Sequence, residues 1–127
     1  EIIDSFKPFN ELSPNIAITD ISAVSHMPDV IEAPYRPALL NGPKYGYKVM
    51  LGGPSCLAGD IIGEYNFKSA PKAGDRIAIL DQAHYTMVKT SFFNGVKIPS
   101  VAIWDSDNDY LEVIKRFTYE DFENKLS

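Results

Sequence analysis

The sequence predicts a mainly β domain, a Greek-key-like barrel or sandwich with one short C-terminal helix. Three observations point there. Seven Phe, seven Tyr and one Trp stand beside frequent β-branched residues, the types that fit a pleated, half-buried surface. Nine Pro and eight Gly among 127 residues leave little room for long helices. Short apolar runs alternate with turn signals along the chain, the rhythm of a small all-β domain.

Taken in order, Glu1 to Phe9 reads as a strand running into a turn. Asn15 to Ile21 (NIAITDI) alternates apolar and polar residues and predicts a second strand. From His26 to Tyr47 the prolines Pro28, Pro34, Pro37 and Pro43 fix φ and push their predecessors away from α. That segment is predicted to be a long irregular excursion with at most one helical turn, and long ordered loops in small domains are often functional. Tyr47 to Leu51 is the next strand, and Ile61-Ile62 begins another. Ala73-Gly74-Asp75 marks a turn before a buried strand, Arg76 to Leu80. Asp81 to Phe93 is predicted as a long, bent strand closed by a turn at Asn94-Gly95. Ser100 to Trp104 and Tyr110 to Phe117 form a hairpin around the polar turn Ser106-Asp107-Asn108-Asp109. Thr118 can cap a final helix, with Asp121 completing a capping box and Tyr119, Phe122 and Leu126 on its inner face.

Composition also removes several function classes. Net charge is −5 with no basic stripe, which speaks against a nucleic-acid or anionic-membrane surface. No apolar run approaches transmembrane length. A single cysteine rules out an internal disulfide and favours a reducing, cytoplasmic compartment. The length suits one domain, and the opening Glu1-Ile2-Ile3, without Met, is expected to lie inside a longer protein.

The stretch with most chemical promise is Gly52-Gly53-Pro54-Ser55-Cys56-Leu57-Ala58-Gly59-Asp60. Three glycines and a proline keep Cys56 out of a regular helix and place it on a turn between two apolar runs. The bland alternative is a small buried hydrophobe. Asp60 can equally be a solvated turn aspartate, and Tyr85, beside His84, a core aromatic with a wet tip. His26 and His84 lie far apart beside one cysteine, so no metal-ligand spacing is present. There is no G-x-S-x-G elbow, and no Lys follows Gly52-Gly53 as in a phosphate-binding P-loop.

Together these pieces resemble a family. Gly53-Pro54-Ser55-Cys56 followed by Asp60 is similar to the cysteine loop of the fold-type III pyridoxal phosphate decarboxylases. Asp81, Ala83-His84-Tyr85-Thr86 and Phe93-Asn94-Gly95 resemble, in order, the acid, the A-Y-T-like strand and the F-N-G turn of their C-terminal β-domain. Within that family the carboxynorspermidine decarboxylases are most similar. Three runs carry this: His26 to Pro37 (HMPDVIEAPYRP), Gly52 to Asp60 (GGPSCLAGD) and His84 to Thr90 (HYTMVKT).

The resemblance implies roles for particular residues. Cys56 matches the cysteine that returns a proton to the substrate carbon after carbon dioxide leaves. Tyr85 matches the tyrosine that contacts the phosphate of the cofactor, pyridoxal 5'-phosphate, and Asp20 the aspartate that binds the distal amine of the substrate. Arg36-Pro37-Ala38-Leu39 resembles the R-P-A-L run whose arginine holds a substrate carboxylate in diaminopimelate decarboxylases, but the Tyr four residues on is Leu40 here. Leu57 stands where ornithine and diaminopimelate enzymes carry an acid, which favours a longer carboxylated triamine whose methylenes it can line. Asp60 and Asp29 are further acids available to its amines. The resemblance also implies a missing N-terminal barrel domain with the Schiff-base lysine, a homodimer with shared active sites, and no activity from this chain alone. The alternatives are another fold-type III decarboxylase, for ornithine, arginine or diaminopimelate, and a non-catalytic relative kept for dimerisation or regulation.

Overall fold

The computed structural model describes residues 1–10 and 12–127. In chain order the elements are β1 (Ile2–Phe6), β2 (Asn15–Thr19), α1 (Ala23–His26), α2 (Pro28–Glu32), β3 (Tyr47–Gly52), β4 (Ile61–Phe67), α3 (Tyr85–Val88), a 3-10 turn (Phe93–Gly95), β5 (Val101–Asp105), β6 (Tyr110–Lys115) and α4 (Tyr119–Leu126). Four strands make one sheet in the order β1-β2-β3-β4, and β5 and β6 form a separate antiparallel ribbon.

The mainly β class is as expected, whereas the closed Greek-key barrel is not. Both sheets are open, because two predicted strands are missing from them. Arg76 to Leu80 forms only an isolated bridge, Leu39 with Ile79. Asp81 to Phe93 is not extended: Asp81 turns to a φ of 60°, and the chain then winds into α3. The apolar-looking run Tyr85-Thr86-Met87-Val88 is helical, with Tyr85 and Val88 largely exposed and Thr86 buried. The predicted turn at Asn94-Gly95 is present, with φ of 59° and 69°.

The central sheet is mixed. β1 and β4 run antiparallel to their neighbours, but β2 and β3 pair in parallel, Asn15 opposite Val49 and Ala17 opposite Leu51. A parallel pair cannot be joined by a tight hairpin and needs a long crossover. The proline-rich excursion is that crossover. It carries α1 and α2, whose Ala23, Met27 and Val30 pack into one core with Ala17, Val49, Leu51, Ile62 and Tyr65. Alternation along β2 and β3 buries Ala17, Thr19, Val49 and Leu51. On β4 the ladder passes from Ile61 to Gly63 without pairing Ile62. This bulge lets Ile62 and Tyr65 both reach the core although they are three residues apart.

The β5–β6 hairpin turns where predicted, and Asp105 accepts from the Asp107 amide at 2.9 Å and from the Asn108 side chain at 2.7 Å. α4 has the predicted capping box, with the Thr118 amide donating to Asp121 at 2.7 Å. Its inner face is narrower than expected: Tyr119 and Leu126 are mostly exposed. Phe122 alone of the three packs inward, edge-on to Phe92 with ring centres 5.8 Å apart. Among the described residues no helix is long and apolar enough to cross a membrane.

Candidate functional site

Because β2 and β3 are parallel, their C-terminal ends lie at the same edge of the sheet. Asp20 follows β2 directly, and the Cys56 loop follows β3. At this edge the buried Thr19 hydroxyl lies 2.8 Å from the Ile21 carbonyl and 3.1 Å from that of Gly52. The two strand ends are therefore tied together through a side chain that sequence alone did not single out.

The loop from Gly53 to Asp60 closes on itself. The Gly53 amide donates to the Asp60 carbonyl at 2.8 Å, and the Asp60 amide to the Leu57 carbonyl at 3.0 Å. Cys56 is a free thiol on the exposed crown of this loop, and Leu57 beside it is about half exposed. Cys56 is thus not the small buried hydrophobe of the bland reading. Asp60 is not a solvated turn residue either, being only 5% exposed. Its Oδ1 accepts from the Ser22 hydroxyl at 3.0 Å and the Val24 amide at 3.3 Å, and its Oδ2 from the Ser55 amide at 3.0 Å. Burial pushes its pKa up, but the hydrogen bonds from Ser55, Ser22 and Val24 outweigh it and hold the carboxyl below its ordinary range.

Ser22 is the N-cap of α1, accepting from the Ser25 amide at 3.1 Å, while its own amide donates to His26 Nδ1 at 3.1 Å. A Ser two residues after the candidate Asp20 and ahead of a short apolar run is a legible capping signal, and it was the one signal that could have exposed this cluster. His26 is buried, and its Nε2 has no hydrogen-bond partner among the described residues. Burial lowers the imidazole pKa. The nearby Lys97 carbonyl, without reaching hydrogen-bonding geometry, and the charges of Asp60 and Asp20 offset this only in part.

Tyr85 lies at the start of α3 rather than in a strand, and it is 77% exposed, so it is no core aromatic. The turn beneath it is held by Asp29. Asp29 Oδ2 accepts from the Thr86 hydroxyl at 2.9 Å and the Tyr35 hydroxyl at 2.8 Å. Burial raises the Asp29 pKa, and these two hydroxyls with Lys89 bring it below the usual carboxylate value. The same segment is tied to α1, since Ser91 donates its amide to the Ser25 carbonyl at 2.8 Å and the Ser25 hydroxyl donates to the Phe93 carbonyl at 3.2 Å.

Residues 20–32 therefore form a hub that reaches both the Cys56 loop and the Tyr85 turn. Asp20 is half exposed on it. Arg36 is turned elsewhere: its Nη1 donates to the Glu64 carbonyl at 2.7 Å and its guanidinium lies 5.7 Å from the centre of the Tyr65 ring. An open cavity of about 650 Å³ lies behind α1, lined by Thr19, Ile21, His26, Gln82, Thr86 and Phe117 among others. Cys56, Tyr85 and Asp20 do not line it, so this hollow is not the candidate site.

Comparison with known proteins places this arrangement. No family model matches the chain. Among curated proteins it is 44% identical over 113 residues to a carboxyaminopropylagmatine decarboxylase of Synechocystis, covering 87% of this chain. It is 40% identical over 121 residues to a carboxynorspermidine/carboxyspermidine decarboxylase of Campylobacter jejuni, covering 84% of it. The chain spans 29% and 31% of the lengths of these two relatives. Of solved structures, carboxynorspermidine decarboxylase from Campylobacter jejuni, complexed with norspermidine, aligns over 98% of the chain and 36% of its own, with TM-score 0.86 and 36% identity. A diaminopimelate decarboxylase from M. jannaschi aligns over 98% of the chain and 28% of its own, with TM-score 0.76 and 18% identity, a likeness of fold alone. The fold is thus one found in amino-acid decarboxylases. Within that class the chain belongs to the carboxynorspermidine/carboxyspermidine decarboxylase family.

The buried His26 generates a pH prediction. The unfolded ring titrates near its ordinary 6.5 and the folded ring below it. Between those values the unfolded chain binds more protons, so this contribution to stability is intact above about 6.5 and is lost as pH falls through the folded value. The unfolding free energy of the intact protein is expected to decline as pH falls below the ring's ordinary 6.5. His26→Gln should remove that part of the slope, and an unchanged slope in the variant would assign it to other groups.

Proposed function

We propose that this chain supplies the proton donor and part of the substrate and cofactor contacts of a pyridoxal phosphate-dependent decarboxylase acting on a carboxylated polyamine, carboxynorspermidine or carboxyspermidine. The observation that carries the reading is the shared sheet edge. An exposed thiol and an exposed carboxylate, Cys56 and Asp20, lie at the paired ends of two parallel strands.

When bound, the cofactor supplies an electron sink for the carbon that loses carbon dioxide. The residues of this chain do the rest of the assigned work. The Cys56 thiol gives its proton to that carbon and is recharged from solvent. The Tyr85 hydroxyl, standing free of the core, donates to the cofactor phosphate. The exposed phenol fits such a role, since nothing in the core claims it. Asp20 binds a cationic amine of the substrate, and Leu57 lines the methylene arm. Asp29 and Asp60 act inside the protein, one holding the Tyr85 turn and the other the Cys56 loop. Arg36 buttresses β4, its guanidinium being engaged by the Glu64 carbonyl and the Tyr65 ring. A barrel domain and the second subunit of a homodimer complete the site.

The central experiment is Cys56→Ala in the full-length enzyme. It is expected to lower kcat by about 10²-fold or more. It should also raise the share of misprotonated product, released as a carbonyl compound while the cofactor keeps the amino group. Normal turnover with normal product partition would remove Cys56 from the mechanism.

Tyr85→Phe is expected to weaken cofactor affinity by ~1.5–3 kcal/mol, the worth of a hydrogen bond to a charged group, and to leave substrate selectivity in place. A cofactor titration tests it, and unchanged affinity would make Tyr85 a surface residue of no consequence.

Specificity is tested with kcat/KM for carboxynorspermidine, carboxyspermidine, ornithine and diaminopimelate. Leu57→Asp sets an unpaired carboxylate against methylenes, so the preference for the two triamines should narrow. Asp20→Asn should lower kcat/KM for every amine substrate by ~1.5–3 kcal/mol of binding free energy. A wild-type preference for ornithine or diaminopimelate would overturn the substrate assignment and leave the decarboxylase reading standing.

A further inference from the structure

We propose that Asp60 is the positioning residue of the proton donor: its buried carboxylate pins the Cys56 loop to the start of α1, and Cys56 is placed for proton delivery only while that carboxylate is there. The inference rests on the role proposed above for Cys56.

The bonding pattern separates two tasks. The backbone of Asp60 closes the loop from within, through Gly53 and Leu57. The carboxylate bridges the loop and a different segment: one oxygen accepts from the Ser22 hydroxyl and Val24 amide, the other from the Ser55 amide of the loop. Ser55 is the residue immediately before Cys56, so a rotation of the Asp60 side chain passes directly to the thiol. Asp20 lies on the same corner, two residues before Ser22. One carboxylate thus sets the thiol relative to the acid assigned to the substrate amine.

The chemistry calls for a carboxylate and no isostere. Two of the three donors are backbone amides, which cannot reverse their polarity, and only an ionised carboxyl presents acceptors alone on both sides. An asparagine has one oxygen. Its NH2 group must confront either the Val24 or the Ser55 amide, and the loop or the helix start must move away. The loop is also shaped around the carboxylate: a Cβ on Gly53 would lie 2.3 Å from Asp60 Oδ2. Among the described residues the Asp60 carboxylate is held by hydrogen-bond donors alone. What those bonds enforce is geometry, and a displacement of about 1 Å at a reacting group can cost 10²-fold in rate.

The test uses the full-length, cofactor-loaded enzyme and four variants: Cys56→Ala, Asp60→Asn, the double variant, and Ser22→Ala. The last keeps the charge and removes one donor. Three quantities are read: the misprotonated share of turnovers, KM, and thermal stability. Asp60→Asn is expected to raise the misprotonated share at least about tenfold, with KM changed less than twofold, as expected when a ~1 Å misplacement costs up to about 10²-fold. Ser22→Ala should give a smaller rise in the same direction, and it stands in if Asp60→Asn does not fold. In the double variant the share should equal that of Cys56→Ala alone, because a thiol that is absent cannot be misplaced. If Cys56→Ala shifts the partition while Asp60→Asn and Ser22→Ala lower only the melting temperature, Asp60 is structural and the proposal fails by itself. If Cys56→Ala leaves the partition normal, the proton-donor reading fails and this proposal falls with it.

Discussion

The parallel pairing of β2 with β3 is the constraint from which the rest follows. An antiparallel pair would send Thr19 and Gly52 to opposite ends of the sheet. Parallel pairing sets Ile18 opposite Gly52, so both strands finish at one edge. The connection between them must then span the sheet, and its length gives the chain room for α1, α2 and the proline-rich return. Those two short helices close the core with Ala23, Met27 and Val30. They also bring the residue after β2 and the loop after β3 into one polar cluster.

That cluster is expensive to build. Thr19, Ser22, Ser25, His26 and Asp60 are all buried, and each polar group withdrawn from water needs a partner to avoid a penalty of ~1–3 kcal/mol. Except at His26 Nε2, the structure answers with partners drawn from three separate segments: the α1 start, the Cys56 loop and the 91–93 turn. The result is a single short helical segment that fixes two exposed side chains, Cys56 on one side and Tyr85 on the other. Each stands out in solvent, placed by a neighbour, Ser55 or Thr86, that is bound to a carboxylate.

The buried Asp60 and the partly buried Asp29 illustrate how an enclosed acid differs from a surface one. Asp60 and Asp29 would both be raised by burial alone, yet hydroxyl and amide donors keep both ionised. Asp20 keeps about half of its exposure. Three aspartates that look alike in the sequence thus differ in how many donors the fold aims at each, two being anchors and the third left half exposed. Arg36 belongs with the anchors, being spread across the Glu64 carbonyl and the face of Tyr65.

The sequence by itself determined the local features. Periodicity placed β2, β3 and the β5–β6 hairpin, whose alternation needs only neighbouring residues. Pro and Gly placed the irregular crossover and the exposed turn around Cys56, and the Thr118–Asp121 pair placed the cap of α4. The cysteine loop and the HMPDVIEAPYRP run carried the family, because long runs of side chains specify more than any spacing does. Tertiary structure decided what depends on partners distant in sequence. The direction in which β2 meets β3 is one such outcome, since alternation is the same for either orientation. The helical state of Tyr85 to Val88 is another: its β-prone residues were overruled by the Thr86–Asp29 bond and the Ser91–Ser25 bond. The open sheets follow, because strands that form α3 and loops cannot close a barrel. The burial of Asp60 is the third, a turn aspartate by its neighbours and an anchor only because α1 lies 38 residues earlier in the chain and against it in space.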